Sequence, residues 1–168
     1  MVMCGEATGI DRVALRRAAW PDAAMPSAFD LRSAAAADLG FCWPIYRDAM
    51  KPLAETGLEW NEPAQHKIVE QAVADAGTSI LRQQGADVGW VQVGETGHVV
   101  QLKQLFVLPE VRNRGLGTSF IEWMKERADR KRKDLTLEVM SNNPARRLYE
   151  RLGFKAVTTS GGKITMRY

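Results

Sequence analysis

Residues 102 to 118, Leu-Lys-Gln-Leu-Phe-Val-Leu-Pro-Glu-Val-Arg-Asn-Arg-Gly-Leu-Gly-Thr, constrain this chain more than any other stretch. An apolar run through Leu105, Phe106, Val107 and Leu108 stops at Pro109, and a polar segment with two glycines leads into an amphipathic stretch near Leu116. That order predicts strand, loop, helix. In such a turn Gly115 and Gly117 leave backbone N–H groups uncovered at the positive end of a helix, an arrangement suited to an anion such as a diphosphate. Arg112 and Arg114 flank the turn as charge-assisted donors.

About thirty residues on, Leu135, Leu137 and Val139 alternate as a strand, and Ser141-Asn142-Asn143-Pro144-Ala145-Arg146-Arg147-Leu148-Tyr149-Glu150-Arg151-Leu152-Gly153 reads as a capped helix with proline near its start and a glycine stop. The two segments together resemble the GNAT superfamily of acetyl-CoA-dependent N-acetyltransferases. The order β, α, α, β, β, β, α, β, α, β, β extends that resemblance over residues 27 to 168. It implies an α/β (α+β) fold: a mixed, mostly antiparallel sheet of about seven strands, flanked by four helices and splayed between the fourth and fifth strands.

The sequence has 168 residues, enough for one domain with its own core, and its 45% apolar and 26% charged content is that of a globular protein. Residues 1–26 match no catalytic pattern and read as an extension outside the core, with the domain at 27–168. Cys4 and Cys42 have no metal-type spacing; a reducing compartment and a buried Cys42 are expected, and no metal. No apolar run approaches the ~20 residues of a membrane span, and no secretory signal is evident, so a cytoplasmic location without a membrane partner is expected. A net charge of +3 raises nucleic acid as a partner. However, Arg127, Arg130, Lys131, Arg132 and Lys133 bunch at a helix end without interleaved aromatics, which reads as a solvated helix terminus and no nucleic-acid partner.

Phe29, Leu31 and Ser33 alternate as a first strand. Leu39, Cys42, Tyr46, Ala49, Met50 and Leu53 recur at helical spacing, with Pro44 expected to kink the helix or mark a late start. A second helix runs through Ile68, Ala72 and Val73. Strands are expected over 78–82, 88–93 and 98–108, the last long enough to hold a bulge, with turns at 85–87 and 94–97 and His98 exposed. A hairpin over Ser160-Gly161-Gly162 closes the chain.

The resemblance assigns roles residue by residue. Main-chain groups around Phe106 and Val107 would meet pantetheine or the thioester oxygen. Backbone N–H groups of Arg112, Asn113, Arg114, Gly115, Leu116, Gly117 and Thr118 would hold the diphosphate. Asn142 would contact the cofactor arm while serving as a helix cap, with Ala145 nearby. Tyr149 would stand near the cofactor sulfur to protonate the leaving thiolate, although its spacing with Ala145, Leu148 and Leu152 is also that of a core face. The segment joining the first two helices would overhang the acceptor, making Glu55, Glu59, Trp60, Glu62 and His66 candidate contacts; a solvated loop with Trp60 tucked onto the domain is the alternative.

An acceptor ammonium of pKa about 10 must lose a proton before attack. Many relatives place a glutamate on the bulged strand for this, but Gln101 and Gln104 occupy that region here, and neutral amides are not bases. Glu55, Glu59, Glu62, His66 and Glu138 are the substitutes. The expected function is transfer of acetyl from acetyl-CoA to a primary amine of a small molecule or peptide by direct attack in a ternary complex. A non-catalytic acyl-CoA-binding module is the alternative. A homodimer is open, with no stretch specifying one.

Overall fold

The computed structural model describes residues 26–54 and 60–168. Residues 1–25, including Cys4, and the candidate contacts Glu55 and Glu59 lie outside the described residues.

Seven strands form one sheet in the order β1-β2-β3-β4-β5-β7-β6. They are β1 (Asp30–Ser33), β2 (Thr78–Gln83), β3 (Ala86–Thr96), β4 (Val99–Val107), β5 (Asp134–Met140), β6 (Lys155–Ser160) and β7 (Lys163–Arg167). Every pairing is antiparallel except β4 with β5. The helices are α1 (Leu39–Ala54), α2 (Glu62–Ala74), α3 (Leu116–Lys131) and α4 (Arg146–Arg151).

Alternation along the strands divides the core into two layers. On one face Leu102, Leu135, Leu137 and Val139 pack against Phe120, Ile121 and Met124 of α3. On the other, Ile80, Trp90 and Phe106 pack against Tyr46 and Met50 of α1 and Val69 and Val73 of α2. This second layer is aromatic: Phe106 lies 5.1 Å from Trp90 and 5.2 Å from Tyr46, centroid to centroid. Cys42 is fully buried within it, which pushes its thiol up to about 12.

Several local expectations need correcting. Pro44 does not mark a late start of α1; it lies in the second turn of a helix that runs without interruption from Leu39 to Ala54. Its missing N–H forfeits one hydrogen bond, and the buried stripe Cys42, Ile45, Tyr46 and Met50 holds the helix through that position. β3 also runs further than 88–93 because Gly94, expected in a turn, is a strand residue. A Cβ at Gly94 would come within 2.8 Å of Lys103 Cε, so the glycine makes room for a side chain crossing the sheet.

That side chain marks a bulge. Gln92 pairs with Gln104 but Val93 pairs with Leu102, which leaves Lys103 as the extra residue on β4. The basic run at the end of α3 is not simply solvated either. Arg127 is only 3% exposed, and Glu95 on β3 gathers Lys133 at 2.7 Å, Lys131 at 3.3 Å and Arg127 at 3.5 Å. Burial alone would raise the Glu95 carboxyl, but hydrogen bonds from Lys133 and Lys131 outweigh it and hold the group below its ordinary range. His98 is exposed, as expected. Among the described residues, no helix is long and apolar enough to cross a membrane.

Candidate functional site

The site follows from where β4 and β5 part. Their parallel pairing covers only Val99–Leu102 against Asp134–Leu137. Beyond that point β4 continues to Val107 and β5 to Met140 without a mutual partner. The bulge at Lys103 begins one residue past the last pair, where the extra residue turns β4 away. A wedge opens between the strands, with its vertex at Leu102 and Leu137.

The open end of the wedge meets the glycine turn. Gly115 has φ +85°, a left-handed conformation in which a side chain is strained. Among the described residues, none of the backbone N–H groups from Asn113 to Thr118 makes a backbone hydrogen bond, and the first helical bond runs from Ser119 N to Gly115 O at 2.9 Å. A Cβ at Gly117 would touch only Leu148 Cδ2, at 3.8 Å. Successive amides left open at a helix N-terminus form an anion cradle.

Wedge and cradle join in a cleft of about 840 Å³. Of the residues expected from sequence, Phe106, Val107, Arg112, Asn113, Gly115, Gly117, Thr118, Ala145 and Tyr149 line it. Leu116 is instead buried in the core beneath α3, and Arg114 is exposed and does not line the cleft. Arg112 is already engaged: its Nε donates to Val107 O at 3.1 Å and its guanidinium pairs with Asp48 of α1 at 2.9 Å. It serves as a strut across the mouth of the cleft.

The charge missing from sequence reasoning comes from α4. Arg147 and Arg151, exposed and one helical turn apart, both line the cleft. A signal for them existed in the (i, i+4) spacing, but only the rotation of α4 says which face they occupy. Asn142 is a correction. It does not cap α4, whose N-cap is Ala145 without a side-chain hydrogen bond; the turn before the helix is closed by Asn143, whose Oδ1 accepts from Ala145 N at 2.9 Å and which is buried against the cleft. Asn142 instead donates its Nδ2 to Leu53 O at 3.0 Å, tying the end of α1 to the turn after β5. The reason is that the chain makes a turn at Ser141 and Asn142 before the helical segment begins.

Tyr149 is fully buried, with its ring 6.0 Å from that of Phe154, yet it forms part of the cleft wall. Burial pushes its phenol well above the ordinary tyrosine range, so at neutral pH it is protonated and able to donate.

On the acceptor side, Trp60 is half-buried and tilted against Tyr46, 6.4 Å away, and its Nε1 donates to Glu62 Oε2 at 3.4 Å. Glu62 opens α2 and pairs with Arg47 at 3.6 Å and Lys51 at 3.8 Å. Neither Trp60 nor Glu62 lines the cleft. Gln104 is 1% exposed; its Nε2 donates to Gln92 Oε1 at 3.4 Å and its Oε1 has no hydrogen-bond partner among the described residues.

The model of the acetyltransferase (GNAT) domain matches residues 73–156, half of the chain. The chain belongs to the GNAT family. Solved structures share its fold. The PaiA N-acetyltransferase from Thermoplasma acidophilum, crystallised with coenzyme A, is 15% identical with a TM-score of 0.66, over 83% of this chain and 98% of that one. An acetyltransferase from Thermus thermophilus is 18% identical with a TM-score of 0.65, over 84% and 96%. The ribosomal-protein-S18-alanine N-acetyltransferase from Escherichia coli is 22% identical with a TM-score of 0.57, over 83% and 92%. No curated protein sequence matches the chain significantly. The splayed, seven-stranded GNAT sheet expected from sequence is the one observed.

Proposed function

We propose that the protein is an N-acetyltransferase that moves acetyl from acetyl-CoA to a primary amine of a small molecule or peptide, by direct attack in a ternary complex. The observation that carries this reading is the continuity of the wedge with the amide cradle in one cleft. A diphosphate fits the amides of residues 113 to 118, with Arg147 and Arg151 as further donors to phosphate oxygens. An extended arm fits between β4 and β5, where free main-chain groups of one strand edge accept it as they would a strand.

Acyl transfer then needs a donor for the departing sulfur and an acceptor for the amine's proton. Tyr149, protonated and in the cleft wall, supplies the first. Coenzyme A in the PaiA crystal is consistent with acetyl-CoA as the donor, and the S18-alanine acceptor named for the Escherichia coli protein is consistent with an amine as acceptor. The test is a thiol assay: protein plus acetyl-CoA is mixed with alkylamines, amino acids, and peptides bearing a free N-terminus or lysine. Release of CoA that depends on the amine supports transfer. Tight acetyl-CoA binding with no release from any of them would favour a non-catalytic binding module.

A further inference from the structure

Resting on that reading, the vertex of the wedge also says from which side the acceptor comes and what charge it brings. An arm anchored by its phosphates at 113–118 and laid along β4 runs from Val107 toward Lys103, about 13 Å of strand. Its reacting end arrives at the vertex. There Leu102 and Leu137 are fully buried in the α3 layer, which closes that face of the sheet. On the opposite face the residues around the vertex are Gln101, Lys103, Thr136 and Glu138, all half-buried. The acceptor therefore approaches over this polar floor.

Lys103 is the unusual group of that floor. Val93 packs into the α3 layer, so Gly94 faces the floor. A Cβ on Gly94 would stand 2.8 Å from Lys103 Cε and 3.3 Å from its Nζ. The lysine stem thus lies across β3 in a space that only a glycine leaves, and its ammonium stays on the sheet. Lys103 makes no ion pair or hydrogen bond among the described residues. A half-buried ammonium without a counter-ion carries a desolvation cost that a bound anion relieves. The other charges facing the floor are Glu138 on β5, Lys163 opposite Met140, and Arg167, which is shared with Asp134 at 3.6 Å. Glu138 and Lys103 therefore flank the vertex with opposite charges, one from β5 and one from over β3.

We propose that Lys103 is a specificity-determining residue that selects acceptors carrying a carboxylate. The amine of such an acceptor lies at the vertex, where the acetyl group arrives, and its carboxylate lies on Lys103 Nζ. That nitrogen stands over β3, outside the wedge, and neighbouring strands are about 4.8 Å apart. Amine and carboxylate must then be several bonds apart. An ω-amino acid meets that spacing, whereas an α-amino acid, with one carbon between the two groups, does not. Gly94 acts through Lys103 as a positioning residue, because any side chain there would lift the ammonium from its place. The cations of α1 do not compete for the carboxylate, since Arg47 and Lys51 are held by Glu62.

The experiment measures CoA release with δ-aminovalerate and δ-aminovaleramide, which differ only in the charge at the end far from the amine. Wild type, Lys103→Met, Lys103→Arg and Gly94→Ala are compared. Wild type is expected to favour aminovalerate in kcat/KM by ~10 to 10². Lys103→Met should erase that preference by slowing the carboxylate alone, and Lys103→Arg should restore part of it. Gly94→Ala keeps the lysine but displaces its ammonium, so it should reduce the preference too, with melting temperature and acetyl-CoA affinity unchanged. Equal kcat/KM for the two acceptors in wild type, or equal losses with both in Lys103→Met, would overturn the assignment and leave acetyl transfer standing. A wild-type protein that binds acetyl-CoA but releases CoA to no amine would overturn the transfer reading and this assignment with it.

Discussion

β4 has two halves with different employment. From Val99 to Leu102 it is paired on both sides, with β3 and with β5, and its buried side chains are locked into the α3 layer. From Lys103 to Val107 it keeps β3 but gives up β5, and its free side becomes the wall of the cleft. The paired half specifies the fold and the open half leaves backbone groups for a ligand. One extra residue, Lys103, separates them. Substitutions on the two sides of it should therefore damage different things.

The sharpest break is in the paired half. Leu102→Ala removes a fully buried side chain at the vertex and should cost about 2–5 kcal/mol of unfolding free energy in urea titration. A loss no larger than that of an exposed site would mean that the vertex does not hold the sheet. In the open half, Gly117→Val should leave the melting temperature nearly unchanged, since its Cβ meets only Leu148, while weakening acetyl-CoA binding by on the order of 3 kcal/mol through two lost hydrogen bonds to a charged group. Calorimetry showing unchanged affinity would place the diphosphate elsewhere. Gly117 is the cleaner choice because a side chain at Gly115 is also strained by its positive φ.

Tyr149→Phe keeps the ring and removes the phenol, so acetyl-CoA affinity should hold while kcat falls by ~10², the low end for general acid assistance because CoA thiolate is already a fair leaving group. Wild-type turnover under saturating acceptor, with chemistry limiting, would return Tyr149 to a packing role. The mildest effect belongs to the far end of the paired half, where Glu95 binds the end of α3. Its depressed pKa means that it stabilises the fold above the unfolded glutamate value of about 4.3, and that this contribution disappears as pH falls through the lower folded value. Glu95→Gln should cost about 2 kcal/mol at neutral pH, with the gap to wild type closing in acid. A gap constant from pH 7 to pH 3 would show that charge is not what Glu95 contributes.

The closed half was the more legible in sequence because apolar alternation writes itself into Val100, Leu102, Leu135 and Leu137. The two glycines predicted the turn between β4 and α3 equally well, since backbone conformation needs no knowledge of packing. Legibility failed where a role depends on rotation about an element's axis. Which of Asn142 and Asn143 closes the turn before α4 is decided by a single extra turn, and whether Arg147 faces the cleft by the phase of a six-residue helix. Arg127 failed for another reason: its partner Glu95 is distant in sequence, and so is Asp48, which the sequence did not reveal as the partner of Arg112.

The parting of β4 from β5 has one further consequence. Two strands that stop pairing leave two raw edges inside the molecule, each able to template an extended segment from another chain. Arg112 blunts one of them by taking the carbonyl of Val107, and the bulge at Lys103 spoils the flatness that an invading strand needs. Between these two guards lie Gln104, Leu105 and Phe106. Their protection falls to whatever fills the cleft, so a protein stored with CoA should self-associate less than the same protein stored bare.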